Sequence, residues 1–393
     1  MKHRIVVLGA GYAGTPSAGS LARRLDPAET EITVVNAEPD FVERTRLHQL
    51  AAGQDLKMRP LTDMFAGTGI RLRLARVVAL DAERKIVTLD DGEISYDTLL
   101  YALGSTVADH GVPGVAEHAF HVTGRAAALR LRDRLDGLGD GAHVLVVGEG
   151  LTGIETATEI AESRPWLKVA LAARGEPGEW LSPGARRHLR RAFERLGITV
   201  HVHTLIERVE PTRVVGADGT VFASDATVWC GGFAVHPIAA GSGLEVTGTG
   251  LIVVDRGMRS VSHPDVYAAG DSVHVIGANG RPLPMSCASA GFTAMQAANT
   301  IVGHLTGRKI TSVPLYYYGN HMSLGRRDAI VQPVGRDVRA TSWFLRGRTA
   351  ARVKDRILKG AVWIMDHPTF GLPARRHRLA TAALTHSGEA AVA

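Results

Sequence analysis

Two short glycine-rich segments have the residue types and the spacing to bind phosphate groups. The first reads Gly9-Ala10-Gly11-Tyr12-Ala13-Gly14, and the second reads Gly148-Glu149-Gly150-Leu151-Thr152-Gly153. In this G-x-G-x-x-G spacing the first glycine permits a tight turn, the second lets the backbone approach a pyrophosphate, and the third lets the next helix pack closely. The N-terminus of that helix presents free N–H groups and the positive end of its dipole to the phosphates. Two such segments in one chain predict two dinucleotide sites.

Each glycine segment lies between a strand and a helix in a βαβ pattern. Residues 4–8 form a continuous apolar run, which is typical of a buried parallel strand, and a helix to about residue 25 and a strand at 31–36 follow. The same order returns later in the chain, with a strand at 143–147, a helix to about residue 163 and a strand at 168–172. The pattern predicts an α/β fold with two Rossmann-like domains.

The end of the second strand in each unit is where an acidic side chain normally meets the ribose of the dinucleotide. In the first unit this strand ends Val34-Val35-Asn36-Ala37-Glu38, so Asn36 stands in place of the acid. Two interpretations remain open. In one, the Asn36 amide or the Glu38 carboxylate serves a ribose hydroxyl; in the other, Asn36 only terminates the strand.

The second unit ends its strand without a carboxylate and continues to Arg174. An acid at this place would repel a 2′-phosphate, whereas a guanidinium can bind one. Arg174 therefore favours NADPH over NADH. The alternative is an exposed surface arginine, since Glu176 is close by in the sequence.

Antiparallel inserts are predicted in both halves of the chain. Between residues 70 and 100, alternating apolar positions precede Asp90-Asp91-Gly92, which is a hairpin signal. Residues 200–209 and 213–221 resemble the same hairpin, with Ala217-Asp218-Gly219 as its turn. The later segments predict strands at 251–254, 266–268 and within 313–332, and helices at 287–305 and within 342–365.

Two further motifs resemble those of a known superfamily. The segment from Tyr96 to Ser105, YDTLLYALGS, resembles a linking motif, and the run from Val266 to Asp271, VYAAGD, resembles a late motif, of the two-dinucleotide-binding-domain flavoprotein reductases. The resemblance implies FAD in the first domain, with Asp271 hydrogen-bonded to the ribityl or pyrophosphate region of FAD. It further implies contacts to FAD from Ala102, Gly104 and Gly270.

Within that superfamily the chain is most similar to the type II NADH dehydrogenases, over roughly residues 1–305. GEGLTGIETATE, which begins at Gly148, resembles their second glycine segment, and the run from Trp229 to Asp271 resembles their late segment. By this likeness Glu155 lies near the nicotinamide and the flavin as a catalytic residue; a solvent-facing helix glutamate is the alternative. The implied domains are an FAD-binding domain (1–120 and 251–310) interrupted by an NAD(P)H-binding domain (121–250), followed by a C-terminal α+β region (311–393).

The chain departs from the respiratory members where those enzymes form a quinone pocket. They carry two glutamines on the helix beside the flavin, and the matching stretch here, which begins at Ser286 and reads SCASAGFT, has neither. The tail scatters Trp343, Phe344, Leu345 and Trp363 among arginines, so peripheral membrane contact is not favoured.

The two cysteines, Cys230 and Cys287, match no CxxC or CxxxxC redox pair, and packed reduced thiols are expected. No ligand cluster for a metal is evident. The N-terminal apolar run is too short for a signal peptide, so a cytoplasmic protein is expected.

The 393-residue chain has a net charge of +6, and much of its basic excess lies in one late segment. That segment either draws an anionic partner or is a solvated basic helix. We expect no nucleic-acid partner, and a homodimer is compatible with the resemblance. The basic residues are Arg336, Arg339, Arg346, Arg348, Arg352, Lys354, Arg356 and Lys359.

Together these features predict an FAD-dependent oxidoreductase. It would take a hydride from NADPH or NADH onto FAD and release electrons to a quinone-like or other small-molecule acceptor. One alternative is a flavin-dependent tailoring enzyme that oxidises or reduces its own biosynthetic substrate. An alternative of another class is a flavin-based redox-sensing binding protein.

Overall fold

The computed structural model describes residues 1–335, 337, 339–371 and 375–380. Arg336 of the basic segment and the last part of the predicted C-terminal region, residues 381–393, lie outside the described residues. The helices are α1 Gly14–Arg24, α2 Leu47–Ala51, α3 Leu61–Phe65, α4 Val115–His118, α5 Arg125–Asp136, α6 Leu151–Ser163, α7 Pro183–Arg195, α8 Cys287–Thr306 and α9 Gly347–Asp366, with short 3₁₀ turns at Arg44–Arg46 and Gly270–Ser272.

The strands are short and numerous. In chain order they are β1 His3–Leu8, β2 Thr30–Asn36, β3 Ile70–Leu74, β4 Val77–Asp81, β5 Ile86–Leu89, β6 Gly92–Ser95, β7 Thr98–Tyr101, β8 Ser105–Val107, β9 Ala119–Phe120, β10 His143–Val147, β11 Lys168–Ala172, β12 Thr199–His201, β13 Ile206–Val209, β14 Arg213–Gly216, β15 Val221–Ala223, β16 Ala226–Trp229, β17 Phe233–Val235, β18 Ile252–Val253, β19 Val266–Ala268, β20 Val273–His274, β21 Gly319–Ser323, β22 Ala329–Pro333 and β23 Leu345–Arg346.

The first Rossmann unit is a parallel sheet of five strands in the order β19-β7-β1-β2-β3. Its central strand β1 is buried over Ile5 to Leu8, which explains the continuous apolar run in the sequence. Helices α1 and α8 pack against one another beside this sheet. The late segment after residue 250 thus returns to the first sheet through β19.

The second unit repeats this architecture with strands in the order β12-β11-β10-β16-β9, all parallel. Helix α6 follows β10 and packs on β10 and β11. Because the strands of both sheets run parallel, the carboxyl ends of each sheet gather on one edge. The α/β class and the two Rossmann-like units are therefore confirmed.

The antiparallel inserts differ in detail from their sequence pattern. Strands β4, β5 and β6 form one insert with the predicted turn at Gly92, but β3 belongs to the first parallel sheet. In the second half, β12 likewise joins the parallel sheet, and the turn at 217–219 connects β14 to β15. The predicted strand over 200–209 is therefore wrong as a single element, because a short alternating pattern does not reveal which sheet a strand joins.

The C-terminal region consists of an antiparallel sheet, β21-β22-β23, covered by α9. The tyrosines 316–318 precede β21, so the strand predicted around them begins only at Gly319. Ala350, Lys354, Val362 and Met365 are the buried residues of α9, and they recur near multiples of a helical turn. In the described part of the chain, no helix is long and apolar enough to cross a membrane.

Candidate functional site

The first glycine segment forms a cradle at the carboxyl edge of the first sheet. Gly9 has a φ of +96°, and a Cβ there would lie 2.5 Å from the carbonyl oxygen of Ala102. A Cβ on Gly14 would overlap the carbonyl oxygen of Gly9, so the turn and α1 are pressed together. A Cβ on Gly11 would meet nothing within 4 Å. The middle glycine therefore faces open space where a pyrophosphate can approach the backbone.

The strand-end residues beside this cradle are tied to it by hydrogen bonds. The Asn36 side chain accepts a hydrogen bond from the backbone N–H of Ala10 at 2.9 Å and donates to the carbonyl of Glu38 at 2.7 Å. Ala37 and Glu38 are exposed beside it. Asn36 thus organises the turn, and its role toward a ribose stays a prediction.

Tyr12, the aromatic residue of the first cradle, is held by two contacts with residues outside the cradle. The hydroxyl of Tyr12 lies 3.1 Å from that of Thr45, and its ring meets Phe41 edge to face at 5.1 Å. Burial raises the pKa of Tyr12 well above its ordinary value, so this phenol stays protonated. Ala13, the next residue, is buried. These contacts fix the start of α1 against the rest of the domain.

The late motif lies against the same cradle. Gly270 has a φ of +82°, and a Cβ there would come within 3.1 Å of the Ala13 side chain. The carboxylate of Asp271 accepts a hydrogen bond from the Ser105 hydroxyl at 2.7 Å. The hydroxyl of Ser272 in turn donates to the carbonyl of Gly104 at 3.1 Å. The structure therefore brings residues 9–14, 36–38, 102–104 and 270–271 to one edge of one sheet.

Arg44 is a residue of this edge that no motif pointed out. Its guanidinium donates to the carbonyl of Ser105 at 2.8 Å and lies 3.4 Å from the position that a Cβ on Gly104 would take. Burial lowers its pKa, and the Asp271 carboxylate opposes that shift. The arginine begins the short 3₁₀ turn at Arg44–Arg46, where the sequence shows no periodic pattern, so the sequence carried no signal for it.

The second glycine segment reproduces the cradle at the edge of the second sheet. Gly148 has a φ of +121°, and a Cβ there would overlap the carbonyl of Cys230. A Cβ on Gly153 would overlap the carbonyl of Gly148, whereas one on Gly150 would meet nothing within 4 Å. The closed first and third positions and the open middle position match those of the first cradle. The chain therefore has two places shaped for a pyrophosphate.

The strand end at the second cradle carries a charge pattern that the sequence did not reveal. Arg174 is exposed, and its backbone N–H donates to the Glu149 carboxylate at 3.1 Å. Glu149 is itself a residue of the glycine segment. A carboxylate from the turn thus lies at the strand end where the sequence appeared to have none.

Glu155 is buried on α6 and bound by the C-terminal region. Its carboxylate accepts a hydrogen bond from the backbone N–H of Ser323 at 2.9 Å and forms a close ion pair with Lys354. The Lys354 ammonium also donates to the Ser323 hydroxyl at 2.8 Å. Glu155 is 9% exposed, so the solvent-facing alternative is wrong.

Lys354 is the second residue that the sequence missed. It was one of several basic residues in a segment that allowed a solvated helix, yet it is 5% exposed. Burial lowers its pKa to about 7, because the charged ammonium is removed from water. Burial lowers the pKa of His48, and the nearby Lys354 ammonium lowers it further. The Nε2 atom of His48 has no hydrogen-bond partner among the described residues.

Both cysteines are free, and they differ in how exposed they are. Cys230 is half-buried, and burial raises the pKa of its thiol to about 12, so it remains protonated. Cys287 is exposed at the first residue of α8, so the expectation that it is packed is wrong. The described residues contain no cluster of His, Cys, Asp and Glu suited to a metal ion.

Comparison with known proteins agrees with this geometry. The sequence profile of the pyridine nucleotide-disulphide oxidoreductase family matches residues 3–297. An NADH dehydrogenase-like protein of Mycobacterium tuberculosis is 30% identical over 353 residues, which cover 83% of this chain and 87% of that protein. A type II NADH:quinone oxidoreductase of Staphylococcus epidermidis is 26% identical over 368 residues, which cover 86% of this chain and 91% of that protein.

Solved structures share the fold at low identity. A sulfide:quinone oxidoreductase from Aquifex aeolicus has a TM-score of 0.81 at 18% identity and covers 96% of this chain and 97% of its own. NDH2 from Plasmodium falciparum in complex with NADH has a TM-score of 0.78 at 14% identity and covers 94% of this chain and 97% of its own.

The residues present fit two dinucleotides. Each cradle has an open middle glycine at the start of a helix that has no acid in its first turn, so the helix itself brings no negative charge against a pyrophosphate. The chain belongs to the pyridine nucleotide-disulphide oxidoreductase family, and it is an NADH dehydrogenase-like oxidoreductase that uses FAD and NAD(P)H.

Proposed function

We propose that this enzyme passes electrons from NAD(P)H through FAD to a small, quinone-like acceptor. The observation that carries the acceptor class is an aromatic surface beside the start of α8. Phe292 meets Tyr318 edge to face at 5.8 Å, and Tyr318 lies 6.0 Å from the His321 ring. Tyr318 is 48% exposed, so its ring is available for contact. A flat aromatic acceptor is the ligand that such a surface suits.

The same surface supports a soluble acceptor rather than one held by paired glutamines. The matching helix positions in this chain include Gly291, where a Cβ would meet nothing within 4 Å. An acceptor there would be held by ring contacts rather than by side-chain amides. Several curated relatives are named type II NADH:quinone oxidoreductases, which supports the quinone-like class. The expectations that membrane contact is not favoured, that a homodimer is possible and that the protein is cytoplasmic stay predictions.

We further propose that Glu155 acts where the two dinucleotides meet. It lies in the second turn of α6, directly after the second cradle, and its carboxylate is held by Ser323 and Lys354. Bound FAD would supply hydride acceptance and electron release. The chain's own contribution is a buried ion pair, in which burial lowers the pKa of the lysine and so favours release of its proton.

The experiment follows the flavin in two separate steps. Anaerobic holoenzyme is mixed with NADH or NADPH in stopped flow, and the reduced enzyme is then mixed with a water-soluble benzoquinone. We expect fast bleaching by a nicotinamide nucleotide and fast recovery with the quinone. Recovery with oxygen or a dye but not with the quinone would contradict the acceptor class. No bleaching by either nucleotide would contradict the reductase and favour an enzyme that oxidises its own substrate.

Replacing Phe292 with alanine should weaken quinone binding without slowing flavin reduction. The ring is part of the proposed acceptor surface, where it would contact a flat acceptor, and one aromatic contact is worth about 0.5–1.5 kcal/mol. The KM for the quinone should therefore rise about threefold to tenfold in steady-state assays. Tyr316→Ala, which removes another exposed tyrosine ring nearby, is the matched control and should leave this KM unchanged. Equal KM values in the Phe292 variant and the wild type would contradict the assignment.

A further inference from the structure

The two Rossmann units can be compared residue by residue through their strand register. In the first unit the N–H of Gly9 donates to the carbonyl of Val35 at 2.8 Å. In the second unit the N–H of Gly148 donates to the carbonyl of Ala172 at 2.9 Å. The paired strands agree, since Leu8 is opposite Val35 and Val147 is opposite Ala172.

This register gives each residue of the first site a counterpart in the second. Asn36, which follows Val35, corresponds to Ala173, which follows Ala172. Ala10 of the first glycine segment corresponds to Glu149 of the second. Arg174 is therefore one residue beyond the strand-end position, and that position itself carries only a methyl group.

The hydrogen bond between strand end and glycine turn is retained, but its direction is reversed. In the first unit the Asn36 side chain reaches from the strand end to the N–H of Ala10 at 2.9 Å. In the second unit the Glu149 side chain reaches from the turn to the N–H of Arg174 at 3.1 Å. The second site therefore has a carboxylate at its strand end, supplied by the glycine segment instead of the strand.

A second carboxylate, that of Glu179, lies near the Glu149 carboxylate. A Cβ on Gly175 would lie 3.7 Å from the Glu149 carboxylate and 4.0 Å from that of Glu179. Glu149 is half-buried and fixed by its hydrogen bond, whereas the Arg174 side chain is exposed. The fixed charge at the strand end is therefore negative.

We propose that Glu149 is the ribose-binding residue of the second dinucleotide site and that it makes NADH the preferred nucleotide. The inference rests on the proposed function and reverses the expectation from Arg174 alone. A carboxylate can accept hydrogen bonds from both hydroxyls of the adenosine ribose. A 2′-phosphate would bring a dianion against the same carboxylate, and like charges so placed repel one another strongly.

The test measures the adenosine half of the nucleotide, independently of electron transfer. Holoenzyme is titrated by calorimetry with ADP-ribose and with 2′-phospho-ADP-ribose. We expect the wild type to bind ADP-ribose at least about tenfold more tightly. In Glu149→Gln the two affinities should come within about threefold, because the amide oxygen still accepts from Arg174 while the charge is gone. Glu176→Gln, which removes an exposed acid of the same loop, is the matched control and should keep the wild-type ratio.

Two results would overturn the proposal. One is a wild-type preference for the 2′-phosphate, which would return the selection to Arg174; Arg174→Ala should then lower that preference. The other is an unchanged affinity ratio in Glu149→Gln. Failure of the proposed function is a separate result, since it appears as no flavin bleaching by either nucleotide while ADP-ribose binding can still be measured.

Discussion

Replacing Gly150 with valine should leave FAD bound and stop its reduction by NADH and NADPH, whereas replacing Gly11 with valine should prevent FAD binding. Neither glycine has a backbone conformation that requires glycine, and a Cβ at either position would meet no protein atom within 4 Å. The valine side chains would instead fill the space through which a pyrophosphate approaches the backbone. The two variants therefore test the two cradles separately, one through FAD content and the other through flavin reduction.

The expected effects are large because the dinucleotide would be displaced by the width of a side chain. A misplacement of about 1 Å can cost about a hundredfold in rate, so flavin reduction in Gly150→Val should fall by at least that factor. FAD content is read from the ratio of flavin to protein absorbance after purification, and reduction is followed anaerobically in stopped flow. Wild-type reduction in Gly150→Val, or full FAD content in Gly11→Val, would contradict the assignment of that cradle.

The third glycine of each cradle is unsuitable for this test because it packs against backbone. A Cβ on Gly14 or Gly153 would overlap a backbone carbonyl, so such variants would distort the turn before any ligand bound. Gly139→Val is the matched control. Gly139 is exposed, and a Cβ there also meets nothing within 4 Å, so this variant should behave as wild type.

Breaking the Glu155–Lys354 ion pair should destabilise the enzyme far more than breaking an exposed pair on the same helix. Lys354→Met leaves a buried carboxylate without its cation, and Glu155→Gln leaves a buried ammonium without its anion. Removing one partner of a buried pair typically costs about 3–5 kcal/mol. Each single variant should therefore lose stability of this order.

The double variant Lys354→Met with Glu155→Gln supplies the decisive comparison. It removes both charges, so it should recover most of the loss seen in either single variant. Unfolding of the holoenzyme is followed by urea titration with far-UV circular dichroism. Additive losses in the double variant would contradict a direct pair.

A matched lysine is available on the same helix. Lys359 forms an exposed ion pair with Asp355, for which about 0–1 kcal/mol is typical. Lys359→Met should therefore change stability little. A comparable loss in Lys359→Met would show that α9 responds to any lysine substitution rather than to the buried charge.

The fold was largely accessible from the sequence because its signals are local. A strand, a glycine turn and a helix follow one another within about twenty residues in each unit, and the spacing alone specifies the turn. The inserts were less accessible, since β3 (IRLRL) and β12 (TVH) are short strands beside antiparallel strands. Which sheet such a run joins depends on packing partners elsewhere in the chain.

The candidate site, like the fold, was predictable from the sequence only in part. The sequence by itself determined both glycine cradles, because their positive φ angles and close approaches demand glycine at defined spacings. It could not determine that Lys354 is the partner of Glu155, since the two are 199 residues apart. In the sequence Lys354 is one basic residue among many, whereas its burial in the folded chain lowers its pKa.

Tertiary structure also decided the charge at the second strand end. The sequence presented Arg174 there, but the strand register shifts the strand-end position to Ala173, and the Glu149 carboxylate reaches it from the turn. Spacing along a chain specifies turns and helix starts because their atoms are neighbours in sequence. Pairings between distant side chains depend on how the elements pack, and only the folded chain brings those atoms together.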